Sequence, residues 1–215
     1  MAITGLADVQ LSVGTVLAII GVTGTFVFAA SGAVAAANLR QTLVTFCFFA
    51  LTTGVGGGTV RDLLIGAPVF WLHNVSDASI CLGTALLVWI TPGKYWSLRA
   101  LDWLDAVGLA AYAVIGTAKA MDYGIHPFLA SMMGVCTACV GGIIRDLLAG
   151  RPSILLRPEI YVTAAALTAG LYATLVTLGV SPIIAGPATA LGGFALRAFA
   201  IVKGTALPAY RGTIG

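Results

Sequence analysis

Four stretches of this chain, 9–39, 41–60, 123–144 and 160–196, run for twenty residues or more without an Asp, Glu, Lys or Arg. A helix crosses the hydrocarbon of a bilayer in about 20 residues, so each run is long enough to span. A fifth uncharged run, 78–93, is shorter. Only 9% of residues are charged and 59% are hydrophobic, with mean hydropathy +1.02. Soluble domains carry roughly 25% charged side chains, so this chain cannot cover a water-facing surface. That excludes a soluble enzyme, a nucleic-acid binder and a disordered chain. It leaves an all-α integral membrane protein. A barrel is excluded because the runs do not alternate apolar with polar.

The run 160–196 is long enough for two helices, with a break at Gly179–Pro182. The pattern predicts seven transmembrane helices, over 13–37, 42–66, 74–91, 104–121, 127–149, 159–178 and 182–203. They form a single transmembrane domain across 1–215. The N-terminus lacks a basic leader and its first apolar run is long, which predicts a spanning helix and not a cleaved signal. Arg40, Lys94, Arg99, Arg151, Arg157, Lys203 and Arg211 all fall in the odd-numbered loops or the C-terminus. The other loops hold none. Basic loops stay cytoplasmic, so the N-terminus is expected outside and the C-terminus in the cytoplasm of an inner-membrane protein. Trp71, Trp89, Tyr95, Trp96 and Trp103 lie near span ends, where interfacial anchors belong. Cys136 and Cys139 stand three apart inside an apolar stretch, with no second pair to complete a metal site; they read as small hydrophobes.

The chain repeats itself at an offset of 84 residues. Residues 57–68 align with 141–152, sharing two glycines, Arg-Asp-Leu-Leu, a further Gly and a Pro. The same offset pairs Gly24 with Gly108, Phe28 with Tyr112, Ala29 with Ala113, Gly32 with Gly116 and Ala36 with Ala120. Each unit holds three helices, 13–91 and 104–178. Three is odd, so the second unit enters the membrane upside down, an inverted repeat of three plus three related by a pseudo-two-fold axis in the membrane plane. Helix seven, 182–203, stands outside it.

Gly54 and Gly56-Gly57-Gly58 sit inside helix two, and Gly141-Gly142 occupy the matching place in helix five. An interior Gly costs about 1 kcal/mol of helix propensity relative to Ala. The expectation is that both helices break there and that loosened carbonyls face an aqueous path, because unwound backbone survives at membrane depth only beside protein or water. The alternative is close helix packing by small residues. Thr52, Thr53, Thr59 and Thr137 add hydroxyls to the same region.

Arg61-Asp62 and Arg145-Asp146 follow the two glycine clusters. Ionisable groups inside a span need a partner or a pathway. Adjacent residues do not face each other on a helix, so the repeat predicts cross-pairs, Arg61 with Asp146 and Arg145 with Asp62. The alternative is that both motifs reach water near span ends. Lys119, whose counterpart is Ala35, is either a pore-facing gate or a partner of Asp122. Arg197 is expected to extend to the cytoplasmic interface. Only Asp62 and Asp146 read as internal acids, which leaves positive charge in excess. His73 and His126 take no role.

Seven spans in this arrangement, with Gly56-Gly57-Gly58-Thr59-Val60-Arg61-Asp62 and Gly141-Gly142-Ile143-Ile144-Arg145-Asp146, resemble the prokaryotic trimeric intracellular cation channels over about residues 10–203. The resemblance implies a homotrimer in which each subunit holds its own pore, lined by kinked helices two and five and permeable to potassium and other monovalent cations. No His/Glu metal set, paired catalytic carboxylates or Ser-His arrangement appears within the spans, so no enzyme and no metal is expected, and no cofactor beyond the permeating potassium or sodium ions and bound lipid. Animal members carry a Lys-Glu-Val motif tied to phosphoinositides; no such tripeptide occurs here. The site then consists of Thr52, Thr53, Gly56, Gly57, Gly58, Thr59, Thr137, Gly141 and Gly142 as ion pathway, with Arg61, Asp62, Lys119, Arg145 and Asp146 as a charged network or gate. Carbonyls and hydroxyls would replace part of the ion's hydration shell. The alternative is a secondary transporter of a small amino acid such as glycine, its carboxylate held at half-helix N-termini beside Arg61 and Arg145. Related bacterial sequences carry that label.

Overall fold

A computed structural model describes residues 2–156 and 159–208, with side chains from residue 13 onward. Arg157 and Arg211 lie outside the described residues. Among these residues seven α-helices follow in order: α1 (Ala2–Asn38), α2 (Leu43–Leu64), α3 (Val75–Ile90), α4 (Leu98–Asp122), α5 (Pro127–Leu148), α6 (Val162–Thr177) and α7 (Pro182–Lys203). The expected spans match within a few residues except at two N-termini. α1 begins earlier, and α4 begins six residues ahead of the expected 104. There Ser97 caps the helix by accepting from the Ala100 N–H at 3.2 Å. Arg99 and Asp102 fall ahead of the expected span, yet the cap allows them inside the helix.

α4 is the central helix and packs against α1, α5, α6 and α7. Its length is mostly buried. The outer helices turn large apolar side chains outward, among them Ile19, Phe48, Leu86, Phe128, Leu171 and Leu191. The interior is built from Ala, Gly and Thr. This arrangement suits a lipid solvent, where close backbone approach replaces the hydrophobic effect as the source of packing.

The repeat is visible as reciprocal contacts. A Cβ added at Gly24 would meet the Tyr112 ring at 2.6 Å, and one at Gly108 would meet the Phe28 ring at 2.9 Å. A Cβ at Gly57 would overlap the Thr137 carbonyl oxygen, and one at Gly141 would come within 2.5 Å of the Thr53 carbonyl oxygen. Each pair is the other shifted by 84 residues, so the pseudo-two-fold axis passes through the antiparallel crossing of α2 and α5.

At that crossing the expected helix breaks do not occur. α2 and α5 run uninterrupted through Gly54–Gly58 and Gly141–Gly142. The glycines are there for proximity. Besides Gly57 and Gly141, Gly54 faces Cys81 Sγ, Gly56 faces Ile144 and Gly58 faces the Phe70 ring, each too close for a Cβ without a shift. The propensity argument failed because unwinding in hydrocarbon exposes N–H and C=O groups that water cannot satisfy, at several kcal/mol each. A Gly penalty of about 1 kcal/mol does not offset that.

Helix ends supply a second contrast. Gly66, Gly124, Gly150, Gly179 and Gly204 all adopt positive φ just past a helix C-terminus. Arg40 does the same after α1, at φ 53°, where its repeat counterpart is Gly124 at φ 75°. Its neighbour Gln41 closes the turn by donating to Ala36 O at 3.2 Å. A side chain in this conformation carries strain that glycine avoids. Arg40→Gly is therefore expected to raise stability by about 0.5–1 kcal/mol, read as a higher unfolding midpoint in detergent. A lower midpoint would mean that the Arg40 side chain stabilises the fold by more than its backbone costs.

Candidate functional site

Asp62 sits at the end of α2, wholly buried, and is the acceptor for a dense set of donors. Its Oδ1 receives Arg61 Nε at 2.9 Å and Arg61 Nη2 at 2.8 Å. Lys119 Nζ from α4 lies 2.8 Å from Oδ1 and 2.9 Å from Oδ2. Oδ2 also accepts the Phe70 N–H at 3.0 Å. This last bond ties the chain after α2 back onto the helix end. The Phe70 ring then lies over Gly58, with the Arg61 guanidinium 5.9 Å and the Lys119 ammonium 5.8 Å from its centroid.

The second copy keeps the same clasp. Asp146 Oδ2 accepts the Ile154 N–H at 2.8 Å, the same eight residues ahead. Arg145 pairs with Asp146 at 2.8 Å and with Asp105 of α4 at 2.7 Å, and donates to Ser31 of α1. Arg145 and Asp105 are at most 1% exposed.

The predicted cross-pairs Arg61–Asp146 and Arg145–Asp62 are thus not made. The reason is distance along the helices. α2 and α5 are antiparallel and cross at Gly57 and Thr137, so Arg61 lies level with Met133. That is thirteen residues from Asp146, about 20 Å at 1.5 Å per residue. The arginine stem is long enough to curl back onto its own neighbour instead. Lys119 joins Asp62, not Asp122. Arg197 does not extend to an interface: it is 1% exposed, paired with Glu159 Oε2 at 2.6 Å and 5.4 Å above the Tyr161 ring.

A cavity of about 350 Å³ opens beside the Asp62 cluster, between α1, α2, α4 and the start of α3. Its lining includes Arg61, Lys119, Asp77, Asp122 and Asn74 together with the buried Thr25, Tyr112 and Thr137. Tyr112 donates its hydroxyl proton to the Gly54 carbonyl at 2.7 Å. Thr25 Oγ1 stands 2.8 Å from that hydroxyl and donates to Asp77 Oδ1 at 3.2 Å. Polar groups therefore continue from the charged rim down to the α2–α5 crossing. The lining holds two carboxylates, Asp77 and Asp122, and two cations, Arg61 and Lys119, both cations paired with the buried Asp62. The positive excess read from the sequence is balanced here by Asp77 and Asp122, which that reading did not count.

Of the expected pathway residues, Gly58 and Thr137 line this cavity, as do Arg61 and Lys119 of the charged set. Thr53, Gly56, Gly57, Gly141 and Gly142 lie in or beside the helix crossing. Thr52 and Thr59 are turned elsewhere: Thr52 Oγ1 donates to Phe48 O at 2.8 Å, and Thr59 Oγ1 accepts Trp71 Nε1 at 2.9 Å. Thr25, Asp77, Tyr112, Ser31 and Asp105 were missed. Two of these left a trace in the repeat. Tyr112 adds a hydroxyl where its counterpart Phe28 has none, and Asp105 adds a carboxylate where its counterpart is Gly21.

Known proteins share this architecture. A family model described as Glycine transporter matches residues 18–92 and again 102–177, the two halves of the repeat. A UPF0126 membrane protein of Vibrio cholerae is 38% identical over 172 residues, covering 78% of this chain and 71% of that protein. The UPF0126 inner membrane protein YadS of Escherichia coli K12 is 39% identical over 156 residues, covering 71% of this chain and 75% of YadS. Crystal structures of the TRIC trimeric intracellular cation channel orthologue from Rhodobacter sphaeroides superpose with TM-score 0.82 at 39% identity, over 89% of this chain and 100% of that one. A further TRIC cation channel structure gives TM-score 0.80 at 26% identity, over 92% and 98%. Sequence and fold agree: the chain belongs to the UPF0126 and glycine-transporter family of membrane proteins, and it is a homologue of the prokaryotic TRIC channels.

Proposed function

We propose that this protein is a monovalent cation channel, permeable to potassium, with a pore inside each subunit of a homotrimer. The observation that carries the reading is the cavity whose polar lining runs from Asp77 and Asp122 at the rim to Thr137 at the α2–α5 crossing. An ion entering there meets as many carboxylates as cations, Asp77 and Asp122 against Arg61 and Lys119, then hydroxyl oxygens of the kind that replace hydration water. The likeness to the TRIC trimeric intracellular cation channel orthologue supports the same reading. Packed, unbroken helices at the crossing make the conformation described here a shut one. Lys119, held on Asp62 beside Arg61 and Phe70, is the movable charge at the rim. One charge carried fully across 100 mV is worth about 2.3 kcal/mol, so Lys119 alone gives shallow voltage dependence.

Purified protein in a planar bilayer is expected to show unitary potassium currents. Lys119→Gln is expected to raise the open fraction severalfold and flatten its voltage dependence, since about one gating charge is lost. Well-folded protein that stays silent over a wide voltage range would end this reading. The family model's description keeps one rival specific: a transporter of a small zwitterion, its carboxylate at Arg61 and Lys119 and its ammonium at Asp77. Saturable, competable glycine uptake without unitary conductance would favour that rival. The loss of half-helix N-termini weakens it, because the proposed carboxylate cradle required them.

We further propose an inner-membrane location with the N-terminus outside and the C-terminus cytoplasmic. The Escherichia coli relative named an inner membrane protein supports the first part. Arg40, Lys94, Arg99, Arg151 and Lys203 on one set of helix ends support the second. Reporter fusions after residues 40, 124 and 208 are expected to read cytoplasmic, external and cytoplasmic; an external reading at 208 would refute the orientation.

A further inference from the structure

The 84-residue offset also relates two crevices at opposite ends of the bundle, each between the start of a repeat's second helix and the end of its third. The first, about 290 Å³, lies where α1 turns into α2, against the end of α3 and the α3–α4 turn. The second, about 350 Å³, lies between the start of α5 and the end of α6. Trp89 and Gly93 line the first, and their counterparts Ala173 and Thr177 line the second. Their chemistry differs. Arg40 lines the first, and Lys94 stands in sequence between its lining residues Gly93 and Trp96. The counterparts of these two cations are Gly124 and Leu178. Among the described residues, the second crevice is lined by His126 and by no Lys or Arg.

The first crevice is held in shape by its own contacts. Phe46 and Trp89 form its apolar wall, packed edge to face with ring centroids 5.0 Å apart. Trp96 Nε1 donates to Thr91 Oγ1 at 2.8 Å, and Asn38 Nδ2 donates to Trp96 O at 3.4 Å. These bonds fasten the α3–α4 turn to the ends of α3 and α1. Arg40 is exposed and, among the described residues, makes no ion pair. Lys94 Nζ lies 5.0 Å from the Tyr95 ring centroid and likewise has no carboxylate partner there. The Arg40 backbone sits at φ 53°, where the other repeat has Gly124. A side chain kept at a strained position, with no ionic partner in its own chain, points to a partner outside it.

A cation at a span end beside an apolar wall matches the two parts of a phospholipid, its phosphate and the chains below. A guanidinium donates two parallel hydrogen bonds to a phosphate, and indoles settle at headgroup depth. Anionic lipids make the cytoplasmic leaflet negative, and basic pockets between helices on that side take their headgroups. We propose that the crevice of Arg40, Trp89 and Trp96 binds an anionic phospholipid of the cytoplasmic leaflet. Its phosphate sits on Arg40 with Lys94 beside it, and its chains run against Phe46 and Trp89. The inverted crevice at His126 lacks both cations and takes no anionic headgroup. The choice of leaflet rests on the orientation proposed above; the preference for an anionic headgroup rests neither on that nor on the channel reading.

The test uses the full-length protein in a non-ionic detergent, with phosphatidylglycerol or phosphatidylcholine of the same chains added. Native mass spectrometry reads the bound lipid and thermal unfolding reads the midpoint. Phosphatidylglycerol is expected to bind about tenfold more tightly than phosphatidylcholine and to raise the midpoint further, because a ligand of the folded state stabilises it. Arg40→Gln is expected to remove this preference, weakening phosphatidylglycerol about tenfold and leaving phosphatidylcholine unchanged. Glutamine keeps the exposed position and its positive φ, so the lipid-free midpoint should not move. Lys203→Gln removes an exposed cation at the end of α7, on the same membrane face, and should leave the binding of both lipids unchanged. Equal affinity for the two lipids, or native phosphatidylglycerol binding in Arg40→Gln, would overturn the proposal. So would an equal loss in Lys203→Gln, which would spread the attraction over the whole basic face. Glycerol phosphate, the anion without chains, should leave the midpoint where it is; a rise as large as that with phosphatidylglycerol would show a site for soluble anions and overturn the lipid assignment. An external reporter reading at residue 208 would overturn the choice of leaflet alone.

Discussion

Arg145→Ala is expected to be the most damaging single truncation in the charged network, costing about 3–5 kcal/mol, the range for a buried charge stripped of its partner. The substitution leaves Asp105 and Asp146 facing each other with no cation between them. Both are buried, and the pocket around them is closed. Arg61→Ala, the same change at the paired position of the other repeat, should cost less for two reasons. Asp62 keeps Lys119 at 2.8 Å, and the open cavity lets water reach the vacated space. Arg145→Lys is expected to fall between, since one ammonium cannot replace a fork that reaches Asp105, Asp146 and Ser31 together. Unfolding midpoints of the three variants in detergent give the order. Equal losses for Arg61→Ala and Arg145→Ala would show that the two ends are hydrated alike and that only one of them looks closed.

That asymmetry was only half legible in the sequence. The runs without charge marked six of the seven helices, and the offset of 84 residues marked the inverted repeat, because both are carried by the chain itself. Partner choice is not. Arg61 and Asp62 are neighbours in sequence, and helix geometry sets neighbours apart, yet a flexible arginine stem overrides the angle between their Cα–Cβ bonds. Which helices cross, and at what depth, decided that Arg61 would never meet Asp146. Asp77, Asp105 and Asp122 lie near helix ends in sequence, so they read as interfacial. Asp105 turns inward because α4 is central, and centrality is a property of the packed bundle, whereas half-buried Asp77 on α3 and exposed Asp122 line the open cavity. The breaks at the glycines were misread for a related reason. Propensity measured in water assigns little cost to an unwound segment, whereas a bilayer assigns a large one.

The glycine crossing is where these two accounts of α2 diverge in sign. Gly57→Ala should gain up to about 1 kcal/mol from helix propensity if the segment has slack around it. In the packed crossing, the new Cβ overlaps the Thr137 carbonyl oxygen, which belongs to backbone and cannot turn aside. The two helices must part, and overpacking of this kind costs about 1–3 kcal/mol. A net loss is expected for Gly57→Ala, and likewise for Gly141→Ala against the Thr53 carbonyl. The double variant should lose less than the sum, because helices already parted by one methyl leave room for the second. Gly83→Ala, with nothing within 4 Å of its new Cβ, should show the propensity gain alone and serves as the control. Unfolding midpoints decide the matter. If Gly57→Ala stabilises as Gly83→Ala does, α2 and α5 do not meet through their glycines, and a loosened backbone at this depth becomes the better description of the pathway.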